Sequence, residues 1–119
     1  MPLSIVQIVI DCDDAEKLSA FWSQVLNRPV DEGAASYFAT IGLRAADSGP
    51  ALMFIKVPET KQHKNRVHLD LTGAGWADEV ERVIGLGAVR VSEHQEFGTH
   101  WVTLRDPEGN EFDIGAGMG

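Results

Sequence analysis

The feature that most constrains this chain is an order of elements that occurs twice within its 119 residues. In each half, a short apolar strand leads into an amphipathic helix, and further strands follow the helix. The two first strands lie at residues 5–11 and at "VHLDL", residues 67–71. The sequence therefore predicts two copies of one βαβββ unit, residues 1–60 and 61–119, within a single domain at 1–119.

Both helices are predicted from apolar side chains that recur at helical spacing. The two stripes consist of Leu18, Phe21, Trp22 and Val25, and of Trp76, Val80, Val83 and Ile84. Asp13 and Glu16 predict a capping box at the start of the first helix. Further strands are predicted at 37–43, 51–57, 89–92, 101–104 and 111–114, with an extended piece near Val30 and turns at "RAADSGP" and "DPEGN".

Side chains of a strand alternate between two faces, so each first strand has an apolar and a polar face. We expect the helices to cover the apolar faces, formed by Val6, Ile8 and Ile10 and by Val67, Leu69 and Leu71. The opposite faces would then line a concave cleft and carry Gln7, His68, Asp70, Glu111 and Asp113.

Composition and charge exclude several classes of partner. The formal net charge of -8 disfavours binding to nucleic acid and to an anionic membrane surface. The short apolar run near the start predicts neither a signal peptide nor a membrane span. Cys12 is the only cysteine, so no intrachain disulfide and no thiolate cluster can form. We expect a cytoplasmic protein.

Three residues of the predicted cleft are candidate metal ligands. Gln7, His68 and Asp113 offer a carbonyl oxygen, an imidazole nitrogen and a carboxylate. This mixed set suits a divalent ion such as Zn, Fe, Mn or Ni. A polar strand face in contact with water explains the same residues, so the pattern alone leaves both interpretations open.

Three longer segments carry a family resemblance: "IVIDCDDAEKLSAFWSQVL", "VHLDL" and "WVTLRDPEGNEFDI". Together with the paired units, they resemble the vicinal oxygen chelate (VOC) superfamily, and within it the glyoxalase-like domains of the glyoxalase, bleomycin resistance protein and dioxygenase type. The resemblance covers nearly the whole chain. It implies an α+β fold in which the two modules form an incomplete β-barrel around a cleft, and it implies a homodimer.

The resemblance also implies a set of metal ligands. Each unit of such proteins offers one ligand from its first strand and one from its last, and these positions fall on Gln7, His68 and Asp113. The fourth falls on Phe54, where members similar to glyoxalase I carry a glutamate that also transfers protons. Because Phe54 supplies neither a ligand nor a base, true glyoxalase I chemistry is not expected.

Aromatic and histidine side chains suggest a second use of the cleft. Phe54 on the cleft floor, joined by Leu52 and Trp101, would favour an apolar or aromatic ligand. His94 and His100 would lie at the cleft mouth and offer an acid or a base. Ordinary core packing of Trp101 and solvent-exposed loop histidines are the alternatives.

Three functions stay open at this stage. The chain could be a metal-dependent enzyme of lyase, isomerase or dioxygenase type that acts on a small oxygen-bearing molecule. It could be a metal-free protein that binds or sequesters a small molecule, as bleomycin resistance proteins do. It could also be a structural or interaction domain with a vestigial cleft. Whether the chain is an enzyme is therefore undecided.

Overall fold

The computed structural model describes residues 2–44 and 49–117. Within it the chain forms two compact units, Met1–Thr60 and Lys61–Gly119. Each unit combines one helix with one small open sheet, so the predicted α+β class is confirmed. The turn predicted at residues 44–50 lies mostly outside the described residues. No described helix is long and apolar enough to cross a membrane.

The first unit has a three-stranded mixed sheet. Its elements are β1 (Gln7–Cys12), α1 (Ala15–Leu26), β2 (Phe38–Ile41) and β3 (Ala51–Lys56). The strand order is β1-β3-β2, with β1 parallel and β2 antiparallel to the central β3. The extended piece predicted near Val30 is a single bridge to Ile41.

Helix α1 buries the apolar stripe that the sequence predicts: Leu18, Phe21, Trp22 and Val25. The rings of Phe21 and Trp22 meet edge to face, with centroids 5.5 Å apart. The N-cap is Asp14, one residue later than predicted, and its side chain accepts a hydrogen bond from the Lys17 N–H. At the other end, Asn27 adopts a left-handed conformation (φ 53°), which ends the helix.

The second unit has a four-stranded sheet. Its elements are β4 (Leu69–Thr72), α2 (Trp76–Gly85), β5 (Val89–Glu96), β6 (Thr99–Arg105) and β7 (Glu111–Gly115), and the strand order is β4-β7-β6-β5. Its buried apolar side chains are Val80, Val83, Ala88, Val102, Leu104, Phe112 and Ile114. Strand β5 extends to Glu96, four residues beyond the prediction, because its second half pairs with β6 in a tight hairpin.

The predicted turn at "DPEGN" joins β6 to β7. Buried Asp106 organises it, since one carboxylate oxygen accepts hydrogen bonds from the backbone N–H groups of Glu108 and Asn110, at 2.9 and 3.0 Å. Gly109 has a φ of 90°, a conformation that favours glycine. The turn therefore fixes where β7 starts.

The first strands of both units begin two residues later than predicted. Val6 and Val67, expected on the helix-covered faces, precede β1 and β4 and are 71% and 79% exposed. The expectation that they contribute to the core was wrong. The apolar faces of these two strands begin instead at Ile8 and Leu69.

Candidate metal-binding site and pocket

The candidate site lies where β4 and β7 run side by side in the second unit. Their parallel register pairs Asp70 with Asp113, so the two carboxylates share one face of the sheet. Leu69 precedes Asp70 in the strand and points to the other face. His68 directly precedes β4, and its imidazole reaches both carboxylates.

The geometry brings three metal-ligating groups together. His68 Nδ1 lies 2.9 Å from Asp70 Oδ1 and 3.5 Å from Asp113 Oδ2. One ligand atom from each of the three residues lies within 4.8 Å of the others. Two carboxylates this close repel each other, and a cation between them would relieve the repulsion. One nitrogen and two oxygens also form a donor set that suits a divalent transition-metal ion.

Thr103 fixes the orientation of one carboxylate. Its hydroxyl donates a hydrogen bond of 2.6 Å to Asp113 Oδ1 from the neighbouring strand β6. That bond leaves Oδ2 directed toward His68. A hydrogen bond to a ligating carboxylate holds it in place and limits the freedom lost when an ion binds.

An open pocket of about 580 Å³ surrounds this group. Its lining consists of Lys64, His68, Asp70, Leu71, Thr72, Phe97, Thr99, Trp101, Thr103, Glu111, Asp113, Gly115 and Gly117. Trp101 stacks on His94, with ring centroids 5.0 Å apart and planes 22° apart. The pocket thus combines charged and hydroxyl groups with two aromatic side chains, and its volume suits a small organic molecule.

Glu111 fastens the segment before His68 to the sheet. Its carboxylate accepts a hydrogen bond of 2.8 Å from the Asn65 N–H and another from Lys61 Nζ. Burial by itself would raise the pKa of Glu111, but these hydrogen bonds and the charge of Lys61 outweigh burial and lower the pKa. Glu111 is thereby held ionised, and the backbone three residues before His68 is fixed.

Of the predicted ligands, His68 and Asp113 lie together. Gln7 belongs to the first unit, where it opens β1 and its side-chain amide lies 3.8 Å from Met53 Sδ. Asp70, which the sequence placed on the same strand face as His68, contributes directly to the group. Gln7 as a ligand stays a prediction.

The placement of Phe54 on the cleft floor was wrong. Phe54 pairs with Ile10 and is 0% exposed, so it lies on the apolar face among core side chains. Met53, one residue earlier, is the side chain that shares a face with Gln7. The register used for Phe54 was therefore one residue off.

The placement of His100 at the cleft mouth was also wrong. Side chains alternate along β6, so His100 faces away from Trp101 and Thr103. Its ring contacts Trp76 of α2 edge to face, and its Nε2 lies 2.6 Å from Glu93 Oε2. Hydrogen bonds from His100 and Arg90 lower the pKa of Glu93. Trp101 lines the pocket, and its role as a ligand-binding residue stays a prediction.

Sequence reasoning missed Thr103 and Phe97. Thr103 gives no distinctive signal, because threonine is common in strands. Phe97 precedes Gly98 in the loop of the hairpin; the glycine was a detectable turn signal, whereas phenylalanine is not a residue that this kind of turn prefers.

Three solved structures illustrate the likeness of the fold. A glyoxalase/bleomycin resistance protein/dioxygenase family enzyme of Burkholderia phytofirmans PsJN superimposes with a TM-score of 0.78 at 19% identity, covering 98% of this chain and 100% of the other. A mutant of the fosfomycin resistance protein FosX of Listeria monocytogenes was solved in complex with Mn(II) and 1S,2S-dihydroxypropylphosphonic acid. It superimposes with a TM-score of 0.79 at 16% identity, covering 99% of this chain and 93% of the other. Lactoylglutathione lyase of Agrobacterium tumefaciens superimposes with a TM-score of 0.69 at 17% identity, covering 98% of this chain and 96% of the other.

At these identities the likeness establishes the fold alone. No curated protein sequence is detectably similar to the chain. A sequence model of the glyoxalase-like domain matches residues 7–115, nearly the whole length. This match includes both first strands and the "DPEGN" turn. The chain therefore belongs to the glyoxalase-like domain family, within the VOC superfamily that the sequence resembles.

Proposed function

We propose that the second unit binds a divalent metal ion through His68, Asp70 and Asp113, and that the chain acts on a small oxygen-bearing molecule in the adjoining pocket. The observation that carries the proposal is the approach of three ligand atoms to within 4.8 Å of one another on the pocket wall. The Mn(II) complex of FosX, a protein of similar fold, adds support.

Each residue has a defined task in this proposal. His68 offers a neutral nitrogen, and the two aspartates balance the charge of a divalent ion. A divalent ion held by these residues would supply Lewis-acid chemistry, the polarisation of a substrate oxygen. Thr103 keeps the Asp113 carboxylate oriented, and the pocket walls restrict how the substrate approaches.

Glyoxalase I chemistry remains disfavoured, although for a different residue than the sequence suggested. In the first unit Val9 pairs with Met53 as Asp70 pairs with Asp113 in the second. The position that matches Asp113 is therefore Met53, whose thioether can neither accept a proton nor balance a cation's charge. We infer a reaction of another type within the family, with Gln7 as a predicted further ligand.

The direct test is metal content. Wild-type protein purified without chelators from manganese-supplemented cells should retain close to one divalent ion per chain, measured by mass spectrometry of the metals. His68→Ala should lower Mn(II) affinity in calorimetric titration by about 100-fold or more. His94→Ala, which removes a histidine outside the metal group, is the matched control and should bind Mn(II) normally. Equal metal retention by wild type and His68→Ala would exclude the site.

Metal-free binding of a small molecule is the second candidate. The observation in its favour is the stack of His94 on Trp101, which presents an aromatic surface to the pocket. Under this alternative, ligand affinity would be unchanged by chelators and by His68→Ala.

The homodimer that the resemblance implies is kept as a proposal. Light scattering at micromolar concentration would give twice the chain mass of 13.0 kDa if it is correct. A monomeric mass would remove it.

A further inference from the structure

The tip of the β5–β6 hairpin carries an aromatic residue in an unfavourable conformation. Phe97 and Gly98 form the two-residue loop between Glu96 and Thr99, with φ values of 55° and 73°. Two positive φ angles are the pattern of a type I′ turn, in which asparagine or aspartate normally precedes glycine. A bulky side chain at positive φ is an outlier, and such strain is found preferentially at functional sites.

Burial does not compensate for this strain. The Phe97 side chain is 82% exposed, so its ring gains little from packing within the chain. Neither the turn preference nor the hydrophobic effect accounts for a phenylalanine at this position. Because the ring is exposed to water, a ligand that covered it would bury apolar surface and be stabilised by that contact.

The surroundings of Phe97 show what such a ligand would meet. Phe97 and Trp101 both line the pocket that contains His68 and Asp113. The hairpin is held close to its tip, because Thr99, the residue that follows the loop, donates a hydrogen bond of 3.0 Å from its Oγ1 to the Gly117 carbonyl oxygen. The pocket therefore offers aromatic surface from the hairpin and, from β4 and β7, the carboxylates of the proposed metal site.

We propose that the ligand of this pocket carries an aromatic ring that packs against Phe97 and Trp101 while its oxygen-bearing end faces His68 and Asp113. The placement of the oxygen-bearing end rests on the proposed metal site, whereas the aromatic contact stands independently of it. Phe97 is then a ligand-binding residue that selects aromatic over aliphatic molecules.

Phe97→Asn separates a binding role from a structural one. Asn-Gly is the preferred pair for this turn, so the variant should unfold at the same temperature as wild type or higher. If the phenylalanine served the fold, the same change would lower the melting temperature. The proposal requires that Phe97→Asn keeps the stability of wild type and binds aromatic ligands more weakly.

Two hydroxamates measure the selectivity on Mn(II)-loaded protein. Acetohydroxamate and benzohydroxamate present the same oxygen pair to the ion and differ in carrying a methyl group or a phenyl ring. Wild type should bind benzohydroxamate about tenfold more tightly. In Phe97→Asn this ratio should fall to about threefold or less, with Mn(II) affinity itself unchanged.

Binding of 2-naphthol to metal-free protein, followed by calorimetry, keeps the aromatic contact testable without the ion. Phe97→Asn should weaken it about fivefold or more. Tyr37→Ser removes an aromatic residue that is 69% exposed and lies outside the pocket lining, and it should leave the affinity for 2-naphthol unchanged. Loss of naphthol affinity without any Mn(II) binding would support the aromatic contact and refute the metal proposal. Equal naphthol affinity and equal hydroxamate ratios in wild type and Phe97→Asn would overturn the inference.

Discussion

The two units share one strand register but differ in the side chains on one face of the sheet. Val9 and Met53 form a parallel pair in the first unit, where Asp70 and Asp113 form the corresponding pair in the second. The opposite faces remain alike, because Leu52 and Phe54 of β3 are matched by Phe112 and Ile114 of β7, and all four are buried.

The difference shows how the chain separates folding from chemistry. Burial of the apolar face against a helix supplies most of the stability of such a unit. The other face makes fewer demands on the fold, so its side chains can be apolar in one unit and charged in the other. Candidate chemistry is concentrated in the second unit for this reason.

The largest expected effect comes from placing a charge on either face of β3. Phe54→Glu should destabilise the protein by about 4 kcal/mol or more, because it buries an unpaired carboxylate among core side chains. Met53→Glu should cost roughly 1 kcal/mol, since Met53 is only half-buried. Chemical denaturation monitored by tryptophan fluorescence compares the two variants. Equal losses of stability would contradict the register that places these neighbours on opposite faces.

The contrast between β3 and β7 also explains which parts of the site the sequence could predict. In "EFDI" of β7, polar and apolar residues alternate, so the face of Asp113 was evident. "ALMFI" of β3 is apolar at every position and carries no such signal. A slip of one residue moves a side chain to the other face, which is how Phe54 was misplaced.

The hairpin of β5 and β6 shows a second limit of the sequence. The segment "EHQEFGTH", residues 93–100, is polar throughout most of its length and lies outside the predicted strands, although most of it pairs in β5 and β6. Its hydrogen bonds come from the backbone, which the side-chain pattern does not report. The element order and the helices were predictable because their apolar residues recur at a clear period.

Asp113→Asn tests whether the charge that distinguishes the second unit is what binds the ion. The change keeps the shape of the side chain but removes one negative charge from the proposed site. Mn(II) affinity should fall by about 100-fold, equivalent to roughly 2.8 kcal/mol. Calorimetric titration measures the loss. Full affinity in the variant would mean that Asp113 is not a ligand.

Gly115→Ala tests a close approach that only the second unit requires. Gly115 corresponds to Ile55 in the register of the first unit. A Cβ at Gly115 would lie 2.5 Å from both the His100 carbonyl oxygen and Trp101 Cβ. We expect a cost of about 2 kcal/mol from overpacking, measured by thermal unfolding. Ile55→Ala offers the contrast, because its cost would come from lost apolar contacts.

Two threonines at matching positions sharpen the comparison further. Thr103 pairs with Asp113 and donates to it, whereas Thr40 pairs with Met53 but donates to Asp31 at 2.7 Å. Thr103→Val should weaken Mn(II) binding about tenfold, roughly 1.4 kcal/mol, by freeing the carboxylate. Thr40→Val should lower stability and leave Mn(II) affinity intact. An unchanged affinity in Thr103→Val would show that the hydrogen bond does not serve the site.

The smallest effect concerns the acid sensitivity that Glu111 gives the second unit, whose counterpart in the first unit's last strand is the uncharged Ala51. Hydrogen bonds from Asn65 and Lys61 hold the folded pKa of Glu111 below its ordinary value of 4.5. Glu111 therefore adds stability that is fully present above that value and is lost as the pH falls through the folded pKa.

Urea unfolding at about pH 7 and about pH 3 should show a smaller loss of stability on acidification in Glu111→Gln than in wild type. Glu96→Gln, at the exposed end of β5, is the control for removing a carboxylate. If the pH dependence of wild type persists unchanged in Glu111→Gln, the acid sensitivity comes from other carboxylates. Glu111 would then serve only to hold the segment that precedes His68.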